Sequence, residues 1–242
     1  SPEKLAGDYS PVRFTRELRL FRESCPSGKV LDVGCSNGAF LFQLGQRFPG
    51  DYELFGADVS GPALDYAESK GIKTIRRDFL GNDFPETEFD PITFWAVLEH
   101  VSEPARFIEQ AARLLRRGGI CIVLVPNWDS LARRLLNARY RYILGQHLNY
   151  FDETTLRRLA PAPFEVTHTV YTHFNPFVIK EDLRGASEPS SAERAQLLQK
   201  TNRLKERKGG LLKGVYHAAE RILAQLRLTD NVALVLTKPH QK

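Results

Sequence analysis

Val30-Leu31-Asp32-Val33-Gly34-Cys35-Ser36-Asn37-Gly38-Ala39-Phe40 is the stretch that decides the fold. An apolar strand runs into a turn of small residues, and an apolar helix pattern opens directly behind it. Such a turn brings backbone N–H groups and a helix N-terminus against the polar end of a nucleotide-like ligand. Alone, a Gly-x-x-x-Gly turn after a strand is weak evidence, since any tight strand-to-helix connection uses glycine for φ > 0. Two acids downstream add specificity. Asp58 closes the strand-like run Tyr52-Glu53-Leu54-Phe55-Gly56-Ala57-Asp58, about 20 residues on, where a carboxylate accepts hydrogen bonds from both ribose hydroxyls. Asp78 follows a third run, Ile72-Lys73-Thr74-Ile75-Arg76-Arg77, at the same edge of the expected sheet.

Working outward, strand patterns near 29–34, 52–58, 72–76, 89–96 and 119–125 alternate with helix patterns near 38–48, 61–70 and 103–117. Alternation of this kind means parallel strands with crossover helices on both faces. Gly118-Gly119 reads as the cap that ends the last of these helices and releases Ile120-Cys121-Ile122-Val123-Leu124-Val125 as a buried strand. A helix over 153–160, a strand over 164–171 and a final strand over 231–237, antiparallel to its neighbours, complete a doubly wound, Rossmann-like α/β fold with a mostly parallel seven-stranded sheet. Residues 1–25, with Phe14, Leu18 and Phe21 at helical spacing, form an N-terminal helical cap. The core then occupies 26–174 and 229–242, with 126–151 as a substrate-side insertion and 175–228 as a helical excursion, either lid or interface. Leu211, Leu212, Val215, Ala219, Ile222 and Leu226 make one stripe in that excursion. It is expected to dock on the protein's own core, on a second copy in a homodimer, or on a membrane surface.

These residues in this order resemble the class I S-adenosylmethionine-dependent methyltransferases, specifically the small-molecule branch, over roughly residues 28–170 and the last strand. Leu31 to Gly38 is similar to that family's first motif, Asp58 to its ribose acid and Asp78-Phe79 to its adenine-facing pair. Phe89-Asp90-Pro91-Ile92-Thr93-Phe94-Trp95-Ala96-Val97-Leu98-Glu99-His100-Val101 is similar to its fourth strand and the loop that follows. The resemblance implies S-adenosylmethionine as cofactor, held by Asp32, Gly34, Cys35, Ser36, Gly38, Asp58, Val59, Asp78, Phe79, Trp95 and Ala96. Asp32 is expected to tie down the turn, and Trp95 and Ala96 to line the ligand by shape. Ser36 stands where many members carry a middle glycine, a departure that tightens the turn without abolishing binding.

Methyl transfer from a sulfonium needs alignment and exclusion of water more than it needs a dedicated residue. For a hydroxyl acceptor a base of near-neutral pKa helps, and histidine suits that role. His147, in Gly145-Gln146-His147-Leu148-Asn149-Tyr150-Phe151, is the candidate base. The competing reading makes it a hydrogen-bonded scaffold for its loop. His100 reads as a residue that orients the loop after the fourth strand and caps the helix beginning near Glu103-Pro104, while His168, His173 and His217 read as surface residues. Acids and histidines show no recognisable ligand spacing, so no metal is expected.

Composition narrows the class. The chain of 242 residues carries a formal charge of +5, with three cysteines at scattered spacings that match neither a zinc site nor a disulfide framework. Methionine is absent altogether from a chain whose core would ordinarily use several. With no spanning apolar run and no charged-then-apolar leader, a cytoplasmic protein is expected. The acceptor is expected to be a small metabolite methylated on oxygen: a natural product, sugar or quinone-like molecule. Arg133, Arg134, Arg139 and Arg141 either meet an anionic group on it or form a solvated helical face. An RNA or DNA methyltransferase is the first alternative, with the basic stretch Arg203 to Lys213 as its phosphate contact. Nucleic acid is disfavoured, since Ala96-Val97-Leu98-Glu99 replaces the Asn/Asp-Pro-Pro-aromatic cluster of base-methylating enzymes. A cofactor-binding, non-catalytic interaction module is the second alternative. A nicotinamide dehydrogenase fits less well, because Gly34, Ser36, Gly38 and Phe40 depart from Gly-x-Gly-x-x-Gly.

Overall fold

The computed structural model describes residues 14–81, 84, 88–140, 142–162, 164–183 and 211–240. Helix α1 (Thr15–Ser24) leads into β1 (Gly28–Val33), α2 (Ala39–Arg47), β2 (Tyr52–Ala57), α3 (Gly61–Ser69), β3 (Lys73–Ile75), β4 (Phe89–Trp95), α4 (Pro104–Leu114) and β5 (Leu115–Pro126). There follow α5 (Leu131–Leu136), a 3-10 turn over Asn137–Arg139, α6 (Glu153–Arg158), β6 (Glu165–Thr172), α7 (Pro176–Leu183), α8 (Leu211–Gln225) and β7 (Asn231–Thr237). The cap residues before 14, Arg141, and the excursion residues 184–210, which include most of the basic stretch, lie outside the described residues.

The seven strands form one sheet in the order β3-β2-β1-β4-β5-β7-β6. Strands β1 to β5 pair in parallel, and β7 runs antiparallel between β5 and β6. The order reverses at β1, whose neighbours β2 and β4 leave in opposite directions, and such a switch point opens a crevice at the carboxyl ends of the strands. Two apolar layers hold the sheet. On one face Leu18 and Phe21 of α1 join Phe40, Leu41 and Leu44 of α2 and Leu64 of α3. On the other, Phe79, Phe89 and Phe94 pack with Ile108 and Ala111 of α4. Phe94 is fully buried, with ring centroids 5.8 Å from Phe79 and 6.3 Å from Phe107.

Two expectations are corrected. Helix α4 ends at Leu114, not at the glycines: Leu115 is already extended (φ −78°, ψ 135°) and pairs with Phe89. Gly118 instead lies inside β5 at φ +74°, where an added Cβ would meet the His240 ring at 2.4 Å. A local register break, not a cap, is what needs glycine there. For the apolar stripe of α8, docking on the protein's own core is the one alternative that falls, among the described residues. Val215, Ile222 and Leu226 face solvent, while Tyr216, Glu220 and Leu223 form the buried side. Glu220 is recruited inward by an ion pair with Arg16 of α1, and Tyr216 donates to Phe174 O at 2.7 Å, so polar pairing overrides the hydrophobic pattern.

Replacing the Phe94 ring removes the centre of the aromatic layer. Phe94→Ala is expected to lower unfolding free energy by about 3–5 kcal/mol in urea titration, and a loss below about 1 kcal/mol would show that the layer closes over the gap.

Candidate active site

The turn after β1 is built from backbone in the left-handed region. Gly34 (φ +71°), Ser36 (φ +50°) and Gly38 (φ +73°) alternate through it, and a Cβ at Gly34 would lie 2.6 Å from Val97 Cγ2. Ser36 thus adopts a conformation that favours glycine, at the position where the family pattern places one. The chain is held there from the neighbouring strand. Gly34 N and Cys35 N donate to Ala57 O at 2.7 and 3.1 Å, and Ser36 N donates to Asp58 Oδ2 at 2.8 Å. The other oxygen of Asp58 accepts from Ser60 N at 2.8 Å, so the carboxylate bridges the turn and the start of α3.

A cavity of about 330 Å³ opens at this edge. Val33, Gly34, Asp58, Val59, Asp78, Phe79 and Ala96 of the predicted set or its flanks line it, joined by Arg77, Val97, His100, Val101 and Phe107. Val59 is 91% exposed, a large apolar side chain left bare beside the opening. Phe79 forms a fixed wall, edge-on to Phe84 at 5.2 Å and tilted against Phe107 at 5.4 Å. Asp78 accepts from Leu80 N at 3.1 Å, which aims the segment.

Other predicted residues are not brought to the cavity wall. Trp95 points to the opposite face, 4.9 Å from the Phe40 ring, and its buried Nε1 has no hydrogen-bond partner among the described residues. Strand alternation is the reason: Phe94 takes the cavity face, so its neighbour takes the other. Cys35 is buried against Gly56, where an added Cβ would meet Cys35 Sγ at 2.6 Å, and burial beside Asp32 and Asp58 pushes its thiol pKa up. Asp32 does not bind the turn through its side chain; its Oδ1 accepts from Thr93 Oγ1 of β4 at 2.7 Å. Burial pushes the Asp32 carboxyl up to about 7, against the lowering effect of that hydrogen bond.

The loop after β4 carries the remaining groups. Leu148 N and Asn149 N donate to Glu99 O at 2.7 and 3.1 Å, and Asn149 Nδ2 donates to Leu98 O and Val101 O at 3.0 and 2.7 Å. Segment 147–149 is thereby clamped to the loop after β4, and His147 is buried beside His100, ring centroids 4.6 Å apart. His100 does not cap α4, whose N-cap Glu103 makes no side-chain cap bond. Instead it lines the cavity and its Nδ1 lies 3.0 Å from Gln146 O. Tyr142 stacks on His147 at 6.2 Å, and Tyr150 lies 4.7 Å from Trp128. Asn149 as the clamp escaped sequence reading: an asparagine between Leu148 and Tyr150 is an ordinary loop feature until two carbonyls from a distant loop converge on it. The insertion arginines are partly engaged: the Arg133 guanidinium lies 4.5 Å over the Trp128 ring, and Arg134 pairs with Asp129 at 3.1 Å.

Comparison with known proteins agrees with this geometry. Residues 10–167 match a family model described as a methyltransferase domain, and the chain belongs to the class I S-adenosylmethionine-dependent methyltransferases. A ubiquinone biosynthesis O-methyltransferase of Glaesserella parasuis is 30% identical over 206 residues, which cover 73% of this chain and 86% of that one. An uncharacterized protein of Methanocaldococcus jannaschii is 28% identical over 128 residues, covering 53% of this chain; the chain spans 59% of its length. A crystal structure of a Thermotoga maritima methyltransferase, titled as a possible histamine N-methyltransferase, superposes with a TM-score of 0.61 at 19% identity, covering 94% of this chain and 91% of that one. It shares the fold.

The residues present fit the cofactor that this family uses. Asp58 offers carboxylate lone pairs at the cavity edge, Gly34 keeps the backbone open beside them, and Val59 and Phe79 supply apolar walls. Asp58→Ala is expected to weaken S-adenosylmethionine binding at least about tenfold by calorimetry, because two ribose hydroxyls lose a shared acceptor; unchanged affinity would place the ribose elsewhere. Asp32 gives a pH test. Its raised pKa means that the folded state holds the proton more tightly than the unfolded one, so its stabilising contribution is complete below about 4 and is lost as pH rises through about 7. Asp32→Asn is expected to flatten the decline of unfolding free energy between about pH 4 and about pH 7 in urea titrations, and an equally steep decline in the variant would refute this.

Proposed function

We propose that the chain methylates oxygen on a small acceptor, with an aromatic or quinone-like hydroxyl compound as the best match. The observation that carries this reading is the His147–His100 pair, one ring buried and the other on the cavity wall, beside Tyr142 and Tyr150. A hydroxyl with pKa near 10 or above is a poor nucleophile until it loses its proton, and an imidazole accepts that proton near neutral pH. The aromatic side chains, together with exposed Ile143 and Leu148, offer flat apolar contact rather than a phosphate-binding surface. The O-methyltransferase relative supports oxygen as the receiving atom.

When bound, S-adenosylmethionine supplies a methyl carbon made electrophilic by its sulfonium. Asp58 and the turn fix the position of that carbon through the ribose and backbone. His147 accepts the hydroxyl proton as the O–C bond forms and the C–S bond breaks, the electron pair of the broken bond staying on sulfur. Asn149 holds His147 in place through the loop it clamps. His147→Ala is expected to lower kcat about 10²–10⁴-fold on a hydroxyl acceptor. Acceptors found by a mass-shift screen of phenols and quinols provide the assay. Full turnover by the variant at saturating acceptor would remove His147 as the base.

A further inference from the structure

Glu99 has no role in the chemistry above, yet it is the most unusual group in the site. It is 2% exposed, its Oε2 has no hydrogen-bond partner among the described residues, and burial pushes its carboxyl up to about 7. An acid buried without a partner is costly, and such groups are ordinarily paired or coordinate a cation. One ligand atom from each of Glu99, His100 and His147 falls within 4.8 Å of the others. His100 is also set up as a ligand. Gln146 O can only accept, so His100 Nδ1 at 3.0 Å carries the proton and Nε2 presents its lone pair. A carbonyl behind the ring is the arrangement that orients metal-bound histidines. The two chain segments that bring these groups together are joined by the bonds from Leu148 N and Asn149 N to Glu99 O, so the cluster does not depend on a flexible approach.

We propose that Glu99, His100 and His147 bind one divalent transition-metal ion beside the cofactor cavity, leaving an open position for the acceptor's oxygen. Two imidazoles and one carboxylate suit Zn²⁺, Co²⁺ or Fe²⁺, whereas Mg²⁺ and Ca²⁺ take oxygen ligands. Three protein ligands with a vacant fourth position is the pattern of catalytic rather than structural zinc sites. Neighbouring ligand atoms in a tetrahedral zinc site lie about 3.4 Å apart, so binding would draw the three ligand atoms in from their present spacing of up to 4.8 Å. The proposal rests on the hydroxyl-acceptor part of the reading given above and replaces its proton step: a hydroxyl bound at the open position is acidified by the metal, its proton passing to solvent, and His147 serves as a ligand in place of the base. Sequence spacing concealed the site because its third ligand comes from the segment beyond β5.

The test is a titration of the full chain, stripped with a chelator, with Co²⁺ alone, read by visible absorption. The expected result is saturation at one cobalt per chain with the intense ligand-field bands of a low-coordinate site, reversed by Zn²⁺. Glu99→Gln and His147→Ala are each expected to weaken Co²⁺ binding at least about tenfold. Calorimetry with S-adenosylmethionine is the folding check on Glu99→Gln. A spectrum that stays that of hydrated cobalt, or variants that bind cobalt as well as the parent chain, would overturn the proposal. The two readings fail separately: a wild-type chain that binds S-adenosylmethionine but no cobalt loses only the metal, and one that binds cobalt but no S-adenosylmethionine loses the methyl-transfer reading.

Discussion

The carboxylate of Asp58 accepting from Ser36 N and Ser60 N is the interaction on which the site depends. It joins two strand-to-helix connections that emerge side by side at the switch point of the sheet. A serine in the left-handed region carries strain, and the charged acceptor opposite its N–H offsets it. The same carboxylate remains at the cavity edge with lone pairs to spare. Structural tether and ligand acceptor are therefore one group, and the turn cannot relax without moving the acceptor.

A second constraint comes from the segment beyond β5. Asn149 and the backbone of 148–149 are stapled to the carbonyls of Leu98, Glu99 and Val101, which fastens the insertion to the loop that carries His100 on the cavity wall. The insertion is also anchored at its ends. Trp128 N donates to Phe151 O at 2.7 Å, and Asn127 Nδ2 donates to the carbonyls of Arg227 and Thr229, both at 3.0 Å. Histidines and tyrosines on such a loop gain the positional precision that chemistry requires, because the scaffold fixes both ends of their segment.

Buried acids recur around this edge. Asp32 and Glu99 are both held near pKa 7 by burial, one with a hydroxyl donor and one with an oxygen that has no partner among the described residues. Groups shifted in this way by desolvation beside a cleft are characteristic of working sites. Two further polar pairs, Arg16 with Glu220 and Glu17 with His173 at 3.2 Å, tie α1 to α8 and to the end of β6.

Most of the sheet was legible in the chain, because alternation of apolar strands and helices is a local property and parallel crossovers admit few topologies. That Gly34, Asp58, Asp78 and Phe79 come to line one cavity was readable for the same reason: they follow the carboxyl ends of β1, β2 and β3 within a few residues. Which face a side chain takes was decided by packing, as Trp95 and the outward stripe of α8 show. The convergence of Glu99, His100, His147 and Asn149 was decided by tertiary structure alone. Those residues lie on two connections separated by a helix and a strand, and only the pairing of β4 with β5 and the hydrogen bonds between the two loops bring them within reach of one another.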